Sequence, residues 1–98
     1  MTVEVRYHDL ADFELRDASS YYESELVGLG EAFLTEVEYA VKSIREYPEA
    51  APIIHHFVRQ KVVRRFPYSV IYVVDEDGIY ILAIANQHRR PFYWSTRL

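Results

Sequence analysis

The chain has 98 residues, 50% of them hydrophobic, with no cysteine and a formal net charge of −4, which is material for one core spanning residues 1–98 and not for two. The missing cysteines exclude disulfide frameworks, thiolate metal sites and cysteine nucleophiles together, and they fit a reducing compartment. A chain of this size buries only somewhat over ~60% of its unfolded surface, so its apolar side chains are committed to the fold and leave little interior for a cofactor.

The N-terminus, Met1 to Val5, has no basic region followed by a long apolar run. No later stretch approaches the roughly 18 apolar residues of a membrane span, so the cytoplasm is the expected compartment. Val3, Val5 and Tyr7 alternate with Glu4 and Arg6, the period of a half-buried strand ending near His8. Asp9 or Asp12 can cap a following helix, in which Ala11, Leu15, Ala18, Tyr22 and Leu26 share one face. Gly28-Leu29-Gly30 supplies a turn. Phe33, Val37, Ala40, Val41, Ile44 and Tyr47 then form a continuous apolar stripe, the strongest helix signal in the chain, which Pro48 ends.

From His56 to Arg65 the chain is extended in character, with Phe57-Val58 and Val62-Val63 among polar neighbours. Phe66-Pro67 interrupts it before Tyr68 to Val74, a run of β-branched and aromatic residues that reads as a central strand. Asp75-Glu76-Asp77-Gly78 is a hairpin turn with Gly78 at positive φ, and Ile79 to Ala85 is the returning strand. The expected fold class is α+β, in the order β-α-α-β-β-β, with a helical hairpin packed on one face of a small, mainly antiparallel sheet.

Charge is segregated along this order. Residues 1–52 carry four Lys/Arg against twelve Asp/Glu and residues 53–98 carry seven against three, giving −8 and +4. Such an asymmetry points to a basic surface in the C-terminal half that meets an anionic partner, although acidic helix faces beside a sheet with basic edges would give the same numbers.

Two blocks carry a family likeness. The first is Tyr21-Tyr22-Glu23, Gly28-Leu29-Gly30-Glu31, Phe33-Leu34, Val37, Ala40, Ile44 and Pro48. The second is Arg64-Arg65-Phe66-Pro67-Tyr68-Ser69-Val70-Ile71-Tyr72, then Ile81 to Ala85, and a tail of His88-Arg89-Arg90-Pro91 with Tyr93-Trp94. In order and spacing the chain resembles the RelE/ParE toxins of type II toxin-antitoxin pairs. That resemblance implies a toxin held in check by a cognate antitoxin, with either DNA gyrase or the ribosome as its target.

Metal-free RNA cleavage requires a base for the 2′-hydroxyl, positive charge at the phosphate and an acid for the leaving oxygen. The RelE-like ribonucleases supply these from basic strand residues together with a tail arginine and tyrosine. Over this sequence the strand positions fall on Gln60, Val62 and Ser69, none of which neutralises a phosphate, whereas Arg89 and Tyr93 match the tail. Strand alternation turns Lys61 and Arg65 to the opposite face from Gln60 and Val62.

The ParE-like reading is therefore preferred. It expects a non-enzymatic inhibitor of gyrase that uses a basic, aromatic patch of Arg64, Arg65, His88, Arg89, Arg90, Tyr93 and Trp94 to bind target or antitoxin. The alternative is a ribosome-dependent mRNA endoribonuclease with Arg89 and Tyr93 in its site and Lys61 or Arg65 supplying charge. A third reading is an inactive toxin retained as an antitoxin-binding partner.

No metal site is expected, because His55 and His56 are adjacent in an extended segment and so point to opposite faces. Ser19, Ser20, Ser24 and Ser69 do not sit at a nucleophile elbow, and no strand precedes Gly28 as a phosphate loop requires.

Overall fold

The computed structural model describes residues 3–98. Its elements are β1 (Val5–Tyr7), α1 (Asp9–Glu25), α2 (Leu29–Glu46), β2 (Ile53–His55), β3 (Val58–Val62), β4 (Tyr68–Asp75) and β5 (Gly78–Asn86), with a 3-10 helix over Tyr93–Arg97. The five strands lie in the order β1-β5-β4-β3-β2. β1 runs parallel to β5 and every other pair is antiparallel. β2 is one strand more than the sequence order anticipates. It falls at the end of the proline-flanked connection, where three residues carry too little pattern to separate a strand from a loop.

The apolar stripe of α2 becomes its buried face, through Phe33, Val37, Ala40 and Ile44, while α1 contributes Ala11 and Ala18. Full burial of a side chain such as Phe33 stabilises the fold by ~2–3 kcal/mol. Leu26, expected on the buried face of α1, is exposed because the helix ends one residue earlier. The α1 cap also differs from expectation: His8 Nδ1, not an aspartate, accepts the Leu10 N–H at 3.0 Å.

Two glycines and a glutamate bring the helices together. Gly28 takes φ 90° at the start of α2 and has no side chain to cap it. Glu23 reaches across from α1 instead, accepting the Gly28 and Gly30 N–H groups at 2.9 and 3.0 Å. A carboxylate here also complements the positive end of the α2 dipole. Gly30 is buried, and a β-carbon on it would overlap the Ser19 carbonyl oxygen of α1.

Phe66-Pro67-Tyr68 sets the other boundary of this core. Tyr22 meets Phe66 at 4.8 Å between ring centroids, and Phe33 meets Tyr68 at 5.0 Å. At the far end of α2 the loop carbonyls are taken up by the sheet. Tyr72 donates its hydroxyl to the Pro48 carbonyl at 2.7 Å, and Arg59 donates to the carbonyls of Glu49 and Ala51 at 2.8 and 2.7 Å.

The hairpin between β4 and β5 turns where the sequence places it, with Gly78 at φ 123°. Within it the register slips: Ile71 faces Ala83 and Tyr72 faces Ile81, so Leu82 is an extra residue. A bulge of this kind reverses the alternation beyond it. Ile79, Ile81 and Ile84 consequently face the helices, while Leu82, Ala83 and Ala85 face the other side.

That second side is a core in its own right. Trp94, 3% exposed, packs with Val58, Ile71, Val73, Leu82, Ala83 and Ala85. The C-terminal segment thus folds back across the sheet and covers part of the face opposite the helical hairpin.

Candidate functional site

The site is assembled where the tail crosses the sheet. Register puts Gln60 opposite Ile71 and Val62 opposite Ser69, on the face away from the helices, and Lys61 opposite Val70 on the helix-facing side. A shallow cleft of about 400 Å³ on the open face is lined by Ile54, Gln60, Ser69, Ile71, Ala85, Asn86, Gln87 and the tail from Arg89 to Trp94. A second, of about 330 Å³, lies round the sheet edge and is lined by Glu14, Asp17, Tyr68, Ile84, Asn86, His88, Arg89 and Tyr93. Asn86, Arg89 and Tyr93 line both clefts.

Of the residues singled out in the sequence, Arg89, Arg90, Tyr93 and Trp94 line the first cleft, and His88 joins Arg89 and Tyr93 in the second. Arg64 is elsewhere, beside Glu36, Tyr39, Ser43 and Lys61 between α2 and β3. Arg65 takes φ 71° in the β3–β4 connection and lays its guanidinium over Phe66 at 5.5 Å. Trp94 is buried and so belongs to the packing of the sheet, not to an exposed patch; an indole at a loop-rich terminus gives no sequence cue to which of the two it serves. Among the described residues, Arg64, Arg65, Arg89 and Arg90 are not in salt bridges with the helix carboxylates.

His55 and His56 also depart from expectation. Their rings meet at 4.3 Å because His56 adopts φ 52°, which breaks the alternation of an extended chain. His55 then packs against Phe92 at 5.1 Å, another left-handed residue, at φ 60°. Among the described residues no three His, Asp or Glu side chains converge as a metal site would require.

The polar centre of the region is a group that the sequence reading passed over. Glu14 projects from α1 towards the β5 edge just beyond the reach of β1, whose last bond is from His8 N–H to the Ile81 carbonyl. There it accepts hydrogen bonds from the Ile84 N–H at 3.1 Å, the Tyr93 hydroxyl at 2.8 Å and both Arg97 terminal nitrogens at 2.9 Å. Arg97 in turn donates to the Leu82 carbonyl at 2.9 Å. Two side chains therefore satisfy backbone groups that a neighbouring strand would otherwise take.

A signal for Glu14 was present: it lies three residues after Ala11 and four before Ala18, so it interrupts the buried face of α1 with a carboxylate. Arg97 carries no such signal.

The environment of Tyr93 perturbs its titration. Burial first, and then the hydrogen bond to the Glu14 carboxylate, hold the phenol well above the ordinary tyrosine value of about 10. Because the folded value lies above the unfolded one, the stabilisation is complete below pH ~10 and is lost as pH rises beyond it. Alkaline titration followed by phenolate absorbance and circular dichroism is expected to show Tyr93 ionising together with unfolding. Tyr93→Phe should lessen the loss of stability above pH ~10; an unchanged alkaline limb would contradict this.

Residues 5–91 match the family model described as the ParE toxin of the type II toxin-antitoxin system, parDE. The chain belongs to the ParE toxin family. No curated protein matches it. Among solved structures, the fold is similar to a chain of the chromosomal ParDE toxin-antitoxin system from P. aeruginosa, with a TM-score of 0.70, 22% identity, and coverage of 87% of this chain and 96% of that one. The ParE match ends at Pro91, so Tyr93, Trp94 and Arg97 lie outside it.

Proposed function

We propose that this ParE-family protein arrests growth by binding DNA gyrase directly, through the tail surface around Arg89 and Arg90, and that a cognate antitoxin neutralises it. The observation that carries this reading is the composition of the open face. Where RNA cleavage would need a base and strand cations, the strands offer Gln60, Ser69, Ile71 and Ala85, and the Tyr93 hydroxyl already donates to Glu14. What the region does offer is an exposed pair of arginines without carboxylate partners among the described residues, next to aromatic side chains. Arginine and aromatic groups of this kind anchor protein interfaces.

Expression of the chain alone should give filamentous growth arrest, and the purified protein should inhibit gyrase supercoiling. Arg89→Ala with Arg90→Ala is expected to weaken gyrase binding tenfold or more without changing the melting temperature, since both residues are solvent-exposed. Cut mRNA on translating ribosomes, with gyrase unaffected, would replace this reading by the ribonuclease one. The shared position of Arg89 and Tyr93 beside Gln60 and Ser69 is the observation in favour of that alternative, and loss of cleavage in Arg89→Ala and Tyr93→Phe would support it. A chain that binds its antitoxin and leaves both targets untouched would be the inactive partner.

A further inference from the structure

Arg89 is exposed, yet its guanidinium has an aromatic partner. Its guanidinium carbon lies 3.9 Å from the centroid of the Tyr93 ring. That ring is itself tied at its far end, because the hydroxyl donates to Glu14. Arg97, clamped to the same carboxylate through two nitrogens, lies 5.1 Å from the ring centroid. Glu14, with 13% of its side chain exposed, is largely covered at the edge of the second cleft. A cation stacked on an immobilised aromatic face is presented in one orientation, which lowers the ordering penalty of an interface.

We propose that Glu14 is the positioning residue of the target-binding surface: by holding Tyr93 it fixes the platform on which Arg89 is presented, without touching the target itself. This inference rests on the assignment of Arg89 to target binding. It assigns a role in recognition to a helix carboxylate, which the charge pattern of the chain would not suggest.

The experiment is a double-mutant cycle on the full chain, with affinity for purified gyrase as the readout and circular dichroism used to choose a temperature at which every variant is folded. Arg89→Ala and Glu14→Ala should each weaken binding about tenfold, and the double variant should be little weaker than either, because both remove the same oriented guanidinium. Should Glu14→Ala fail to fold, Tyr93→Phe takes its place in the cycle, since it keeps the ring and removes the hydroxyl that Glu14 holds.

Arg97→Ala separates positioning from stability. It removes the ion pair but leaves the hydrogen bond between Glu14 and Tyr93, so its melting temperature should fall while its affinity stays within about twofold of the parent. If the losses in the cycle simply multiply, or if affinity follows melting temperature across all the variants, Glu14 is a structural staple and the inference is wrong. If Arg89→Ala itself binds gyrase as the parent does, it is the assignment of the surface that has failed, and the inference falls with it.

Discussion

Replacing Glu14 with alanine should remove about 3 kcal/mol of folding stability, far more than a surface ion pair is worth. The reason is the state of what remains. Arg97, only 10% exposed at its side chain, would keep its hydrogen bond to the Leu82 carbonyl but have no anion beside it. The Ile84 N–H and the Tyr93 hydroxyl would lose their acceptor at the same time. Removing one partner of a buried pair typically costs ~3–5 kcal/mol, and the position of this pair at the margin of the fold places it at the lower end.

Urea unfolding measures the effect. Glu14→Leu combined with Arg97→Met should be less destabilising than Glu14→Ala alone, since neither charge is then stranded. A loss below ~1 kcal/mol for Glu14→Ala would mean that the pair is solvated and that the C-terminal segment is held by Trp94 alone.

The second large effect has the opposite sign from that given by helix propensity. Alanine in place of glycine inside a helix ordinarily stabilises by roughly 0.5–1 kcal/mol. Gly30→Ala should instead destabilise by about 2–3 kcal/mol. Its β-carbon would overlap the Ser19 carbonyl oxygen and crowd the Glu23 side chain, so α1 must retreat from α2. That retreat would also loosen the Glu23 carboxylate that caps the Gly28 and Gly30 N–H groups. Thermal unfolding of Gly30→Ala against the parent decides the sign; a stabilised variant would show that the helices do not approach each other so closely.

The two glycines of this turn illustrate how a motif can be recognised before it is understood. Gly28-Leu29-Gly30 reads in the sequence as a turn, and Gly28, with its positive φ, is that turn. Gly30 has a different task, as the point of closest approach between two helices, and Glu23 completes the arrangement from seven residues away. The electrostatic asymmetry behaves similarly. Composition places the surplus of cations in the second half of the chain, but not on one face: Arg59 is consumed by loop carbonyls, Arg97 by Glu14, and Arg64 lies apart from Arg89 and Arg90.

The sequence alone determined the helical hairpin, the long β4–β5 hairpin with its turn at Gly78, the alternation that turns Lys61 away from Gln60 and Val62, and the family. These follow from periodicity, from residues with restricted backbone freedom and from ordered motifs, all of which are local properties. Only the tertiary structure decided the roles of Glu14, Tyr93, Trp94 and Arg97. Their partners are up to 83 residues distant in the chain, and whether a side chain is solvated, buried or paired depends on what the fold brings beside it. The bulge at Leu82 belongs to the same class, since it reverses which residues of β5 face the helices and leaves the edge groups that Glu14 and Arg97 satisfy.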